Sequence, residues 1–250
     1  MTIQCIRCIS WDILSTMPEV ITGGGPLDVV GAGPTNLYKL SQACQLSECD
    51  AFLSHSWNDN GRQKWQTLRG WCEEFKGINH RSPRLWIDKF CIEQNNIQAD
   101  LRRLPIFLAG CNIILILSGP TYTSRLWCCV ELFVEVTMRG NDESRELPIL
   151  LTLGDDENEH ERVRESWDKF DAAACQCFNA EDKTRMFAVI ERHPGGIQGF
   201  NAGVKDMVAG IGRKSPILRL HGASASSASA CVTAEQGPGL TNVIPGSVPS

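Results

Sequence analysis

Between about residues 50 and 210, short apolar runs alternate with stretches of helical periodicity, and this alternation is the most informative property of the chain. Asp50-Ala-Phe-Leu-Ser-His-Ser-Trp57 is an apolar run ending in a polar turn, which predicts a first strand. Asp59 and Asn60 are placed to cap the next helix, whose inner face carries Trp65, Leu68, Cys72 and Phe75. Leu85-Trp-Ile-Asp88 predicts a second, short strand. A polar connection, Lys89 to Asn96, then leads to a helix marked by Ile97, Leu101 and Leu104 and restarted at Pro105. Ile113-Ile-Leu-Ile-Leu117 is short and β-branched, the mark of a central strand covered on both faces. After the break at Ser118-Gly-Pro, hydroxyls at Thr121, Thr123 and Ser124 offer caps for a helix over about 124–138. Its predicted buried stripe is Leu126, Val130, Phe133, Val134 and Thr137. Leu147 to Leu153 predicts a fourth strand, and Asp155 to Phe170 an acidic loop and a helix. Ala172 to Phe178 predicts a short fifth strand, and helices near 181–192 and 199–211 close the pattern.

Strands alternating with helices at this spacing imply right-handed βαβ units. The expected fold is α/β: a flavodoxin-like, doubly wound, five-stranded parallel sheet of order 2-1-3-4-5 with helices on both faces. In that order a crevice opens between the loops that follow strands one and three. Ser54, Ser56 and Trp57 then stand opposite Tyr122, Trp127 and Glu131. Trp127 and Glu131 are four residues apart on a helix, so the carboxylate lies beside the indole. An indole with an acid next to it suits a flat cationic ligand.

Composition divides the chain further. Residues 1–48 and 213–250 are rich in Gly, Pro, Ser and Ala, which predicts a flexible extension and a disordered tail around a domain over 49–212. A net charge of −5 gives no bulk attraction to nucleic acid or to an anionic membrane surface. The longest apolar stretch, Ile106 to Leu117, is too short to cross about 30 Å of hydrocarbon. The 12 cysteines are scattered, and no basic end with a secretory apolar core is visible, so a reducing cytoplasm is the expected setting. Cys5-Ile-Arg-Cys8 lacks the second pair that a zinc site needs, and no metal site is predicted. Leu27 to Leu37 looks like the phosphate turn of flavoproteins, but Asn36 replaces its third glycine, and a Gly/Pro-rich linker is the alternative reading. A receiver-like module shares the topology but wants clustered acids where this chain has Ser54-His-Ser and Ser118-Gly.

Asp50-Ala-Phe-Leu-Ser-His-Ser, the Leu85-Trp-Ile-Asp88 strand and Ser124-Arg-Leu-Trp-Cys-Cys-Val-Glu-Leu resemble the successive motifs of Toll/interleukin-1 receptor (TIR) domains over roughly residues 50 to 210. The family fold is a flavodoxin-like parallel sheet. Its members are either enzymes that cleave the nicotinamide–ribose bond of NAD+ or adaptors that signal by TIR–TIR association, and both carry Trp-Cys-x-x-Glu-Leu. The resemblance implies Glu131 as the catalytic glutamate and Trp127 as the aromatic before it. It places Phe52, Ser54, Ser56 and Trp57 in the pocket-lining loop. His55 is a candidate phosphate contact and Asp88 a candidate ribose contact, beside their ordinary roles as a solvated strand end and a turn acid. The implied substrate is NAD+ with no further cofactor, and the implied partner is a second TIR domain. The connection Lys89-Phe-Cys-Ile-Glu-Gln-Asn-Asn96 departs from the Arg-Asp-x-x-Pro-Gly pattern of receptor-type members. It is nonetheless the surface that an adaptor reading would use for assembly. Cys129 has no expected role beyond filling space.

Overall fold

The computed structural model describes residues 6–23, 37–92, 103–141, 147–177 and 180–214. Its sheet grows outward from the two most apolar strands. β3 (Cys49–His55) is buried from Cys49 to Ser54, and β5 (Cys111–Ser118) is buried from Ile114 to Ser118. Strands of this kind need a cover on each face, which parallel packing supplies. They pair in parallel, with Phe52 opposite Ile114 and Ser54 opposite Ile116. β4 (Arg84–Trp86) lies parallel to β3, and β6 (Ile149–Thr152) lies parallel to β5. The parallel part therefore runs β4-β3-β5-β6, the 2-1-3-4 order expected from periodicity.

The sheet as a whole differs from that expectation. It is six-stranded and mixed, in the order β2-β1-β4-β3-β5-β6. β1 (Ile6–Ser10) pairs antiparallel with β4 on one side and with β2 (Gln42–Cys44) on the other. The expected flexible extension over 1–48 is thus corrected for residues 6–23 and 37–48, whose Ile6, Cys8, Ile9, Trp11, Leu14, Val20 and Ile21 lie in the core. The CxxC cysteine Cys8 is one of these inward-facing strand residues, against Cys44. The stretch that looked like a phosphate turn lies mostly outside the described residues, apart from Leu37, which opens a short 3-10 turn over Leu37–Leu40.

The predicted fifth strand is a second correction. Ala172–Ala174 form a 3-10 turn, with the Asp171 side chain accepting from Ala173 N. Three alanines with a capping aspartate favour a turn over a pleated ladder. Among the described residues of this stretch, Gln176 alone bridges, to Arg125.

α3 (Gly61–Asn79) begins at Asn60, whose side chain accepts from Arg62 N and Gln63 N. Leu68 and Cys72 bury its inner face, and Trp65 meets Trp11 of α1 (Trp11–Leu14) at 5.2 Å. α2 (Glu19–Thr22) rests on the start of α3 so closely that a Cβ at Gly61 would stand 2.2 Å from the Thr22 carbonyl oxygen. α4 (Asp88–Cys91) and α5 (Leu104–Ala109) follow β4; Ile97 and Leu101 lie outside the described residues. α6 (Leu126–Asn141) buries Leu126, Cys128, Cys129, Leu132, Val134 and Glu135, while Val130 and Phe133 are half-buried and Thr137 is exposed. Leu126 and Val134 of the predicted stripe are therefore buried, the rest of the stripe is rotated, and Cys129 belongs to it. α7 (Glu157–Asp168), α8 (Ala180–Ile190) and α9 (Gly196–Lys214) complete the described chain. No helix among the described residues is long and apolar enough to cross a membrane. The segment 215–250, predicted as a tail, lies outside the described residues.

Candidate functional site

Because β3 and β5 are neighbours in the sheet, the loops leaving their carboxyl ends run side by side. Ser56 and Thr121 join them through their hydroxyls at 2.7 Å. Asp59 was expected to cap α3, but instead it spans the gap. Its Oδ1 accepts from Thr121 N at 2.9 Å and from Thr121 Oγ1 at 2.7 Å. Burial pushes its carboxyl above the ordinary range, and the Thr121 bonds oppose that rise. Gly119 is required here by space, since a Cβ would stand 2.3 Å from Asp59 Cγ. The hydroxyl caps predicted for α6 are used inside the preceding turn, where Ser124 Oγ donates to Thr121 O at 2.8 Å. The first free N–H of α6, on Leu126, goes to the Gln176 carbonyl at 2.9 Å.

Glu131 lies in the second turn of α6 and is half-buried. Its Oε2 accepts from Ser54 Oγ at 2.5 Å, and Ser54 Oγ lies 2.6 Å from the Tyr122 hydroxyl. The single Ser54 hydrogen points to the carboxylate, so Tyr122 must be the donor in the second bond. Tyr122, Ser54 and Glu131 thus form a directed chain from the interior to the loop region. Burial raises the Glu131 carboxyl from 4.5 to about 8, against the lowering effect of the Ser54 bond and with help from the negative charge of Asp88.

A second group surrounds Trp57. Its Nε1 donates to Asp88 Oδ2 at 3.0 Å, and the His55 ring lies nearly perpendicular to it at 4.2 Å between centroids. Asp88 Oδ1 accepts from Lys89 N at 2.7 Å, and burial holds this carboxyl above its ordinary range. Lys89 Nζ stands 3.8 Å from the centre of the Trp57 ring and donates to Val20 O at 3.1 Å. Lys64, fully buried, donates to Ser56 O at 2.9 Å and to Trp57 O at 3.3 Å, with its Nζ 5.1 Å from the same ring. Burial lowers Lys64 to about 8.

The residues singled out from the sequence fall into distinct places. Ser54, Tyr122 and Glu131 are brought together, as are His55, Trp57 and Asp88. Phe52 is fully buried and stacked on Trp86 at 4.3 Å, and Tyr122 is fully buried against Trp167 at 5.5 Å. Both are packed in the core behind the loop residues rather than exposed at the loop surface. Burial, then Lys64, push the His55 imidazole down to about 3, so its ring is neutral, and Nδ1 has no hydrogen-bond partner among the described residues. Ser56 is buried as a loop tie, leaving its hydroxyl engaged with Thr121. Trp127 is half-buried against the core, and among the described residues no ring or ammonium stacks on it. Lys89, taken from the sequence as part of an exposed docking connection, is buried. Thr121, Lys64 and Lys89 enter the site without having been predicted for it. Position was the available signal for Lys64, because a lysine in the first turn after a loop can reach back over that loop.

No protein-family profile matches this chain, and no curated protein matches it.

Proposed function

We propose that this chain is a TIR-type NAD+ glycohydrolase that cleaves the nicotinamide–ribose bond and acts on self-association. The observation that carries the proposal is Glu131: a half-buried carboxyl, held by Ser54, beside a second carboxyl and a wall of indole, at the mouth of a parallel sheet. The resemblance to TIR domains supplies the reaction, and the physical chemistry of the site suits it. Nicotinamide in NAD+ carries the positive charge, so it departs neutral and needs no general acid. The C1′–N bond breaks with its electron pair going to nicotinamide, and the ribose becomes oxocarbenium-like. An ionised Glu131 opposite C1′ supplies negative charge where positive charge develops. Water then adds at C1′ and loses a proton, giving ADP-ribose, nicotinamide and H+.

The raised Glu131 proton fits a cationic substrate. Burial favours the neutral carboxyl near pH 7, and a bound pyridinium charge favours its ionisation.

Purified protein incubated with NAD+ over a range of concentrations, with and without a crowding agent, is expected to release nicotinamide at a rate per chain that rises with concentration. Glu131→Gln keeps the shape and the Ser54 contact but not the charge, and is expected to lose at least about a hundredfold in rate. Release by Glu131→Gln equal to that of the parent chain would exclude the proposal.

A further inference from the structure

The two oxygens of Glu131 are not equivalent. Oε2 accepts from Ser54. Oε1 takes no protein donor among the described residues, and it is not one of their buried polar atoms left without a partner, so it lies on the open side of the site. Behind Ser54 stands Tyr122. Its hydroxyl is fully buried, and among the described residues Ser54 Oγ, at 2.6 Å, is its one hydrogen-bond partner. Burial, with Cys128 and Glu131 acting in the same direction, holds the phenol proton well above its ordinary range. The phenol therefore keeps its hydrogen and is a permanent donor.

Counting hydrogens along this chain decides where Glu131 carries its proton. With the proton on Oε1, Oε2 still accepts from Ser54 and Ser54 still accepts from Tyr122. With the proton on Oε2, Ser54 would have to turn its hydrogen to Tyr122, whose own buried hydrogen would then lack an acceptor. The buried phenol thus counts against the second arrangement. Ser54 points at Oε2 whether Glu131 is neutral or ionised, and the proton is held on the open side. The titratable groups facing Glu131 are Asp88 on α4, which raises it, and Tyr122 and the Cys128 thiol, both kept neutral by burial.

We propose that Tyr122 is a positioning residue for Glu131: acting through Ser54, it pins Oε2 and leaves Oε1 to face the ligand. That Oε1 opposes the ribose carbon rests on the hydrolase reading; the pinning itself can be read without turnover.

The full chain, labelled with carbon-13 at the glutamate carboxyls, is titrated with pH in NMR spectra, and the Glu131 signal is assigned by its loss in Glu131→Gln. Ser54→Ala is expected to move the Glu131 midpoint to higher pH. Tyr122→Phe is expected to move it the same way by less, because the donor remains but is no longer held from behind. The double variant is expected to titrate as Ser54→Ala does, since the phenol acts through the serine. In denaturant unfolding, Tyr122→Phe is expected to recover most of the midpoint lost in Ser54→Ala, because the orphaned hydroxyl goes with it. With NAD+, Tyr122→Phe is expected to lower kcat roughly tenfold, with KM changed less than about twofold, and to add nothing in the Ser54→Ala background. A Tyr122→Phe chain whose Glu131 midpoint stays at the parent's value would overturn the proposal, even if the Ser54 variants fail to fold. So would a Tyr122→Phe shift of equal size with and without the Ser54 hydroxyl, or an unchanged kcat beside a parent that releases nicotinamide. The expected titrations together with no release of nicotinamide by the parent would uphold the pinning and overturn the hydrolase reading instead.

Discussion

Glu131 is governed by one donor and one like charge, Ser54 and Asp88, within a buried setting. The sign of its effect on stability follows. Its carboxyl is raised from 4.5 in the unfolded chain to about 8 in the folded one, so between these values the folded chain holds a proton that the unfolded chain has released. The stability this contributes is complete below 4.5 and is lost as pH rises through about 8. Thermal melts of the parent chain and of Glu131→Gln are therefore expected to diverge between pH 5 and pH 8, the parent losing ground as pH rises. Melting curves that keep a constant separation across that range would contradict the raised proton. Ser54→Ala removes the bond that opposes the rise, so the rising limb of the rate–pH profile is expected to move to higher pH. It also leaves the buried Tyr122 hydroxyl without its partner, at a cost of about 1–3 kcal/mol in denaturant unfolding. Ser54 and Glu131 were legible because topology alone places their loops together. Lys64 and Lys89 were not, because a lysine in a polar stretch reads as solvated. Only the packing shows their ammonium groups turned inward onto carbonyls and an indole.

Secondary-structure elements were legible where their hydrophobic period was long, and lost where a few residues decided. β3, β5 and α3 follow their apolar patterns, whereas Ala172 to Phe178 offered a short apolar run that Asp171 caps into a turn. The stripe of α6 was displaced because cysteines and Glu135 fill inward positions that hydropathy alone assigns to Val130 and Phe133. How tightly the elements meet is visible in three glycines. Gly119→Ala drives a methyl into the Asp59 carboxyl, which must swing off Thr121 and release the two loops. A loss of about 2–3 kcal/mol is expected, with activity falling further than stability. Gly61→Ala meets the backbone of Thr22 at 2.2 Å, which no rotamer relieves, so α2 must lift from α3 and a comparable loss is expected. Gly77 lies in the same helix with nothing within 4 Å of an added Cβ. Gly77→Ala is expected to stabilise the chain by roughly 0.5–1 kcal/mol, through helix propensity and a less disordered unfolded state. Chemical denaturation of the three variants checks the ordering, and a stabilised Gly61→Ala would show that the helices do not press on each other there.

At the scale of the whole molecule, the four parallel strands were legible and the two antiparallel ones were not. Ile6–Ser10 is a short strand beside a CxxC that invites a metal reading, and the Gly/Pro-rich stretch after Gly23 gives the whole region the composition of a linker. The structure makes this region part of the sheet, with β1 inserted between β2 and β4. A chain beginning at residue 46 is therefore expected not to fold. It would lose β1, the outer neighbour of β4, leaving an apolar strand edge open at Leu85. It would also lose Ile6, Ile9, Trp11, Leu14, Val20 and Ile21 from the core. At about 1.5–3 kcal/mol for each buried side chain, that loss matches or exceeds the roughly 5–15 kcal/mol that holds a domain together. The Val20 carbonyl that receives Lys89 would go as well, so any remnant would carry an altered site. The expected result is a truncated chain without a cooperative thermal transition and with collapsed amide dispersion. A cooperative transition in that chain near the parent's midpoint would mean that the first strand decorates a sheet complete without it.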